Sequence, residues 1–268
     1  MNLTEIKQRL ADNGLRPLVR FGQNFLHDRN IIEAIVADAL AGLGDDDPIL
    51  EIGPGLGALT GAVLERGRAL TSIEIDRGLA AILRERFGAN PQFTLLEGDA
   101  LEILADPNAG KAIEPRLVLG NLPYYISTPL LAKALALPVP PRRLVVMLQK
   151  EVARRLAASV GSDDYGGLSI VIQSQYAVTL TRTLPPTVFY PQPEVDSAVV
   201  RLDLLEAPPV AAEGREAFAA FVKKGFAQRR KKLSNTLGKL GVSDDRRPEA
   251  LSVAEWVALW ESVGKPRP

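Results

Sequence analysis

The 268-residue chain contains no cysteine and a single histidine, His27. The first absence excludes disulfides, thiolate metal sites and a cysteine nucleophile. The second leaves histidine-based metal clusters and Ser-His-Asp chemistry without their parts, so no metal is expected. Neither sign of charge is in excess: 32 Lys and Arg balance 32 Asp and Glu, which removes the global positive field that a phosphate backbone rewards. No apolar run approaches the ~20 residues of a membrane span. The opening MNLTEIKQRLADNG alternates charged and apolar residues and lacks the apolar centre of a secretory leader. A soluble cytoplasmic protein without a membrane partner is expected, and for want of an oligomerising stripe, a monomer. Chemistry must run on carboxylates, amides, backbone groups or an organic cofactor.

What is present is a hydrophobic fraction of 46%, enough for a sizeable core. Short apolar runs at 48–53, 69–75, 93–97, 116–120, 143–148, 168–176 and 197–204 predict strands. A helix is predicted at 30–41 ahead of the first strand, and helices at 57–66, 77–87, 128–136 and 150–160 lie between strands. This rhythm describes a mostly parallel seven-stranded sheet covered on both faces, its last two strands forming a hairpin at one edge. After the linker-like EAPPVAAEG the pattern turns helical, at 215–224, 228–239 and 252–262, the last capped by Ser252. The expected division is therefore 1–206 and a small all-helical domain over 207–268.

The segment Glu51-Ile-Gly53-Pro-Gly55-Leu-Gly57 closes the first strand of the alternation. Its glycines permit a tight turn and close approach to a ligand, although a bare strand-to-helix turn would use them equally well. Glu74 ends the next strand, 19 residues beyond Gly55, where a carboxylate can accept both hydroxyls of a ribose. A nicotinamide enzyme would share these features. Here, however, Gly57 falls one position early for the third glycine of a G-x-G-x-x-G loop. Glu51 would also repel a pyrophosphate, yet it tolerates a zwitterionic amino acid carrying a sulfonium. The cleft thus fits S-adenosylmethionine, with S-adenosylhomocysteine as product. Asp99 is placed to accept from the cofactor's adenine amine or, equally, to cap the following helix.

The fourth strand runs into Asn121-Leu122-Pro123-Tyr124. Together with RFGQNFL at 20–26, EIGPGLGALT at 51–60, IEID at 73–76, GDAL at 98–101, NLPYYIST at 121–128, LQKEVARRL at 148–156, YGGLS at 165–169 and FYPQPEVDSAVVRL at 189–202, this motif makes nearly the whole chain resemble the small-subunit ribosomal RNA adenine dimethyltransferases. The resemblance implies a Rossmann-like S-adenosylmethionine-dependent methyltransferase fold in 1–206, with RNA recognition by 207–268. The implied substrate is a pair of adjacent adenosines near the 3′ end of small-subunit (16S) ribosomal RNA, presented in a pre-assembled small subunit. Related enzymes methylate large-subunit RNA, and an assembly checkpoint acting mainly by binding RNA is an alternative of another class.

The chemistry gives the motif a reason. An adenine amine is a weak nucleophile, because its lone pair is delocalised into the ring. The Asn121 side-chain oxygen and the Leu122 carbonyl can accept the amine's two hydrogens and turn the lone pair toward a methyl donor. Pro123 stiffens that carbonyl's aim, and Tyr124 can stack on a base taken out of its neighbours. The resemblance adds Phe189 as a second aromatic against the base, although a core anchor is equally reasonable from composition. It also adds Asn24 and Leu26 as cofactor contacts. Tyr125 departs from the asparagine common in the family; it leaves the motif intact and puts the number of methyl groups transferred in question.

Residues 223–232 place Lys223, Lys224, Arg229, Arg230, Lys231 and Lys232 around Phe226 without an acid. Such a run is commonly just a solvated face; this one is dense enough to neutralise RNA phosphates. Arg154 and Arg155 extend the candidate track, and Arg16 and Arg20 are candidates in the opening segment.

Overall fold

The computed structural model describes residues 1–18, 22–106, 113–228 and 231–264. Arg20, Arg229 and Arg230 lie outside the described residues. In chain order the first elements are α1 (Leu3–Asp12), β1 (Phe25–Leu26), α2 (Arg29–Leu40), β2 (Ile49–Ile52), α3 (Ala58–Leu64), β3 (Leu70–Glu74) and α4 (Arg77–Phe87). They continue with β4 (Phe93–Glu97), α5 (Ala100–Ile103), β5 (Leu117–Asn121), α6 (Ser127–Leu135), β6 (Arg143–Gln149) and α7 (Lys150–Ala157). The remainder comprises α8 (Gly167–Gln173), β7 (Tyr176–Leu184), β8 (Phe189–Tyr190), β9 (Ser197–Leu204), α9 (Arg215–Gly225), α10 (Leu233–Thr236) and α11 (Val253–Ser262).

Seven strands form one sheet in the order β4-β3-β2-β5-β6-β9-β7. The pairs β4–β3, β3–β2, β2–β5 and β5–β6 are parallel. Every residue of β2 and four of the five in β5 are buried, as continuously apolar strands must be when helices cover both faces. The chain leaves β2 to one side for β3 and β4, then returns to lay β5 on the other side. That reversal opens a crevice at the strands' carboxyl ends, the usual ligand position in such sheets. At Gly120 a Cβ would stand 2.4 Å from the Ile52 carbonyl oxygen, so only glycine lets β5 come this close to β2 just before the motif. Among the described residues no helix is long and apolar enough to cross a membrane.

The chain gathers into two compact units, one of 1–150 with 181–201 and the other of 151–180 with 202–268. The boundary differs from a split at 206/207, because 151–180 packs with the C-terminal helices. Ala158, Tyr165 and Ile170 share a buried cluster with Phe218, Phe221, Val222, Trp256 and Trp260, and the Tyr165 hydroxyl donates to the Leu251 carbonyl at 3.1 Å. The first unit's core is aliphatic, centred on Ile32, Ile35, Val36, Ile49, Val63, Leu117, Leu119 and Val145.

Two predicted elements are corrected. Residues 168–176, expected as a strand, are mostly helix α8, and the strand lies later, at Tyr176–Leu184. The consecutive β-branched residues Ile170-Val171-Ile172 suggest a strand, but local bonding decides otherwise. The Ser169 hydroxyl accepts from the Gly166 N–H at 3.1 Å and donates to the Arg155 carbonyl at 2.5 Å, which fixes the first helical turn. The helix expected over 228–239 shrinks to α10 with single 3₁₀ turns at Phe226–Gln228 and Gly238–Leu240. The first amides of α10 are satisfied from outside: Leu233 N–H donates to Arg246 and Ser234 N–H to Asp244. Gly241, at φ +86°, then turns the chain away.

Candidate active site

The cleft at the carboxyl ends of β2, β3 and β5 belongs wholly to the first unit. Its walls include Asn24, Leu26, Glu51, Gly53, Gly55, Glu74, Asp99 and Asn121, together with Pro123 and Tyr125. Every cofactor-binding residue expected from the sequence is thus brought to one recess.

The loop after β2 holds Gly53 and Gly55 at φ +68° and +58°. A Cβ on Gly55 would press to 3.1 Å from the Phe25 ring, so the backbone lies directly under β1. The Gly55 N–H donates to Glu74 Oε2 at 3.0 Å and the Asp76 N–H to Glu74 Oε1 at 2.9 Å. Each oxygen keeps a lone pair for a ligand hydroxyl. Burial nonetheless dominates, raising the Glu74 carboxyl to about 7 against the pull of those N–H groups. Glu51 is more enclosed. Its Oε2 accepts from Thr60 Oγ1 at 2.6 Å and from Ser72 Oγ at 2.9 Å, Ser72 being its cross-strand neighbour. Burial again prevails and raises Glu51 to about 7. A carboxyl so placed steadies the floor and welcomes positive charge without imposing a full negative charge at neutral pH. Asp99 caps α5, its Oδ1 accepting from the Leu101 N–H at 2.8 Å, and it also lines the cleft.

Asn121 ends β5 beside Met147. Its Nδ2 donates to the Asn24 backbone carbonyl at 2.6 Å. A carbonyl can only accept, so the edge facing Asn24 must be the NH₂, and Oδ1 is thereby oriented as the remaining acceptor. Leu122 is buried, and its N–H donates to the Met147 carbonyl at 3.2 Å, extending the strand pairing by one residue. Tyr124 is half-buried. Its hydroxyl shares a 2.5 Å hydrogen bond with Ser197 Oγ, and its carbonyl accepts from Ser127 Oγ at 3.1 Å. Burial raises the Tyr124 phenol above its ordinary value, so it stays neutral. Tyr125 is 58% exposed and forms part of the rim.

Phe189 stands elsewhere. It pairs with Leu26 across the β1–β8 ribbon, and its ring is 1% exposed within the aliphatic core. In this conformation it offers no face to a base and acts as a core anchor. The candidate RNA contacts are separate from the cleft in the chain's organisation. Arg154, Arg155, Lys223, Lys224, Lys231 and Lys232 all lie in the second unit. Lys223, Lys224, Lys231 and Arg154 are exposed and Arg155 is half-buried. Lys232 instead donates to Asp245 at 3.0 Å, so its charge is already partnered.

Sequence reasoning missed the supports of these residues. Thr60 and Ser72 hold Glu51. Gln23 links the opening segment to the sheet, accepting from the Leu18 N–H at 2.8 Å and donating to Asp76 at 3.0 Å. Ser197 carried a signal, since it stands in the quoted VDSAVV, but nothing in the string pairs it with Tyr124.

A glycine turn under a buried carboxylate, with an asparagine acceptor at the next strand end of a parallel sheet, defines an α/β methyltransferase domain. The chain belongs to the ribosomal RNA adenine dimethylase family, whose model matches residues 17–255. It is 42% identical over 276 residues to the Ribosomal RNA small subunit methyltransferase A of Geobacillus thermodenitrificans, covering 94% of this chain and 93% of the relative. It is 43% identical over 258 residues to the protein of the same name from Leptothrix cholodnii, with 92% of each covered. Among solved structures, a dimethyladenosine transferase from Plasmodium falciparum shares the fold, with a TM-score of 0.76 at 22% identity over 90% of this chain and 98% of that one. The 23S rRNA methyltransferase ErmE superposes with a TM-score of 0.70 at 27% identity, covering 90% and 99%.

Proposed function

We propose that the protein transfers methyl groups to the exocyclic amines of two adjacent adenosines near the 3′ end of small-subunit ribosomal RNA, within a pre-assembled small subunit. The observation that carries this reading is the oriented amide of Asn121: with Nδ2 spent on Asn24, only its oxygen is left to receive a hydrogen. Oδ1 and the Leu122 carbonyl take the two amine hydrogens and stabilise positive charge growing on nitrogen. Tyr124 meets the face of the extruded base, and Tyr125 offers a second platform at the rim. The residues that would hold S-adenosylmethionine are Glu74 at the ribose, Asp99 at the adenine, and Gly53, Gly55, Asn24, Leu26 and Glu51 around the amino-acid portion. When bound, that cofactor supplies an electrophilic methyl group. No strong base is required, since the amine proton departs to water after transfer. The exposed cations of the second unit neutralise RNA phosphates. A monomer working in the cytoplasm suits this role.

The test is transfer of labelled methyl groups to undermethylated small subunits and, in parallel, to protein-free large-subunit RNA, with the modified nucleosides mapped. Dimethyladenosine at neighbouring small-subunit positions is expected. Label only in large-subunit RNA would assign the chain to the other branch of the family. Label in neither would return the binding checkpoint to the front.

A further inference from the structure

We infer that Ser197 is a positioning residue for the reaction, acting through the hydroxyl of Tyr124 to fix the ring that receives the target base; the inference rests on the functional reading above. The short Tyr124–Ser197 bond joins residues 73 positions apart. Tyr124 stands three residues beyond β5, and Ser197 opens β9, with β6 lying between the two strands. The phenol therefore reaches past one strand to find its partner, which a ring serving only as filler has no need to do.

The partner is itself held. Ser197 is fully buried, and the residue before it is gripped twice by Lys150, the first residue of α7, directly after β6. The Lys150 N–H donates to the Asp196 carbonyl at 3.0 Å, and Lys150 Nζ donates to Asp196 Oδ2 at 2.9 Å. At the other end of the tyrosine, Ser127 Oγ holds the backbone carbonyl. With both backbone and hydroxyl tied, the ring has little rotational freedom left. An aromatic platform oriented in advance spares the entering base the cost of ordering it. Burial favours the neutral phenol, so the bond persists across the working pH range.

The experiment compares Ser197→Ala, Tyr124→Phe and the double variant with the unaltered protein on undermethylated small subunits, under saturating cofactor. Each single change is expected to lower kcat about tenfold, the scale of one lost hydrogen bond. The double variant should fall by the same tenfold, because both changes remove one bond. Cofactor affinity by calorimetry should stay near the unaltered value in Tyr124→Phe, a readout that a general loosening of the fold would move. The thermal midpoint of this variant should fall modestly, because Ser197 Oγ is left buried without this partner. Losses that multiply to about a hundredfold, or full activity in either single variant, would overturn the positioning role. An unaltered protein that transfers no methyl group would overturn the functional reading as well, and so is distinguishable from those outcomes.

Discussion

The two units carry their functional residues in opposite ways. In the first, the residues that define the cleft are enclosed and hold one another: Glu51 by Thr60 and Ser72, Glu74 by two backbone N–H groups, Asn121 by Asn24. In the second, an aromatic core does the structural work. Trp256 stacks on Phe226 at 5.7 Å and meets Phe221 edge-on at 5.9 Å, while Phe218 packs against Trp260 at 5.5 Å. Among its described candidate residues, Arg154, Lys223, Lys224 and Lys231 are exposed cations. A site built from interlocked groups fails sharply when one is removed. A charged surface loses its grip by increments.

The sharpest test of that contrast is Asn121→Ala. It removes the oriented acceptor and leaves the Asn24 carbonyl without its donor. A fall in kcat of about 10²–10³ is expected, the range for deleting one preorganised hydrogen-bonding group, with the circular dichroism spectrum unchanged. A loss below tenfold would mean that the Leu122 carbonyl suffices alone. In the second unit the comparable injury is structural. Trp256→Ala should cost about 3–5 kcal/mol, since the indole is fully buried and its N–H donates to the Pro248 carbonyl. Denaturant unfolding monitored by hydrogen exchange should place the loss in 151–180 and 202–264.

A third test uses protons. Glu74 sits at about 7 in the folded protein against 4.5 unperturbed, so the folded state holds its proton over that interval while the unfolded chain releases it. Its contribution to stability is therefore greatest below pH 4.5 and is lost as pH rises toward 7. Ribose hydroxyls donate best to the ionised form, so cofactor affinity should move the other way, strengthening about tenfold between pH 6 and pH 8. Calorimetric titrations of the unaltered protein and of Glu74→Gln should show this dependence in the first and a flat response in the second. A dependence surviving in the variant would transfer it to Glu51.

Much of the cleft was legible because its chemistry is local to strand ends. The spacing from Gly55 to Glu74 is one βαβ turn, and the apolar runs of β2, β3 and β5 fix where each loop emerges. What could not be read depends on register or on distant packing. The Ser72–Glu51 bond exists only because the two strands pair in that register. The ring of Phe189 follows the β1–β8 ribbon into the core, which composition could not separate from a place at the base. Residues 168–176 have the β-branched pattern of a strand, yet Ser169 and the aromatic cluster of the second unit make them a helix. The 223–232 run looked uniform as a string, and the fold distinguishes its members.

That last difference yields the smallest and most discriminating prediction. Lys223 and Lys224 end α9 and point their charges into water, whereas Lys232 is engaged by Asp245, which also accepts from Ser234. This lysine's hydrogen bond and charge hold the exposed Asp245 below its ordinary value, so the pair remains charged at neutral pH. Releasing Lys232 to a phosphate would leave that acid behind to oppose the RNA. Replacing Lys223 or Lys224 with alanine should therefore weaken RNA binding a few-fold and reduce the slope of log affinity against log salt by about one each. Lys232→Ala should change the slope by much less, and Lys232→Ala combined with Asp245→Ala by less still. Filter-binding titrations from low to moderate salt measure all four slopes. Equal slope changes at 223 and 232 would mean that the Asp245 pair opens on the RNA and that the whole run acts as one surface.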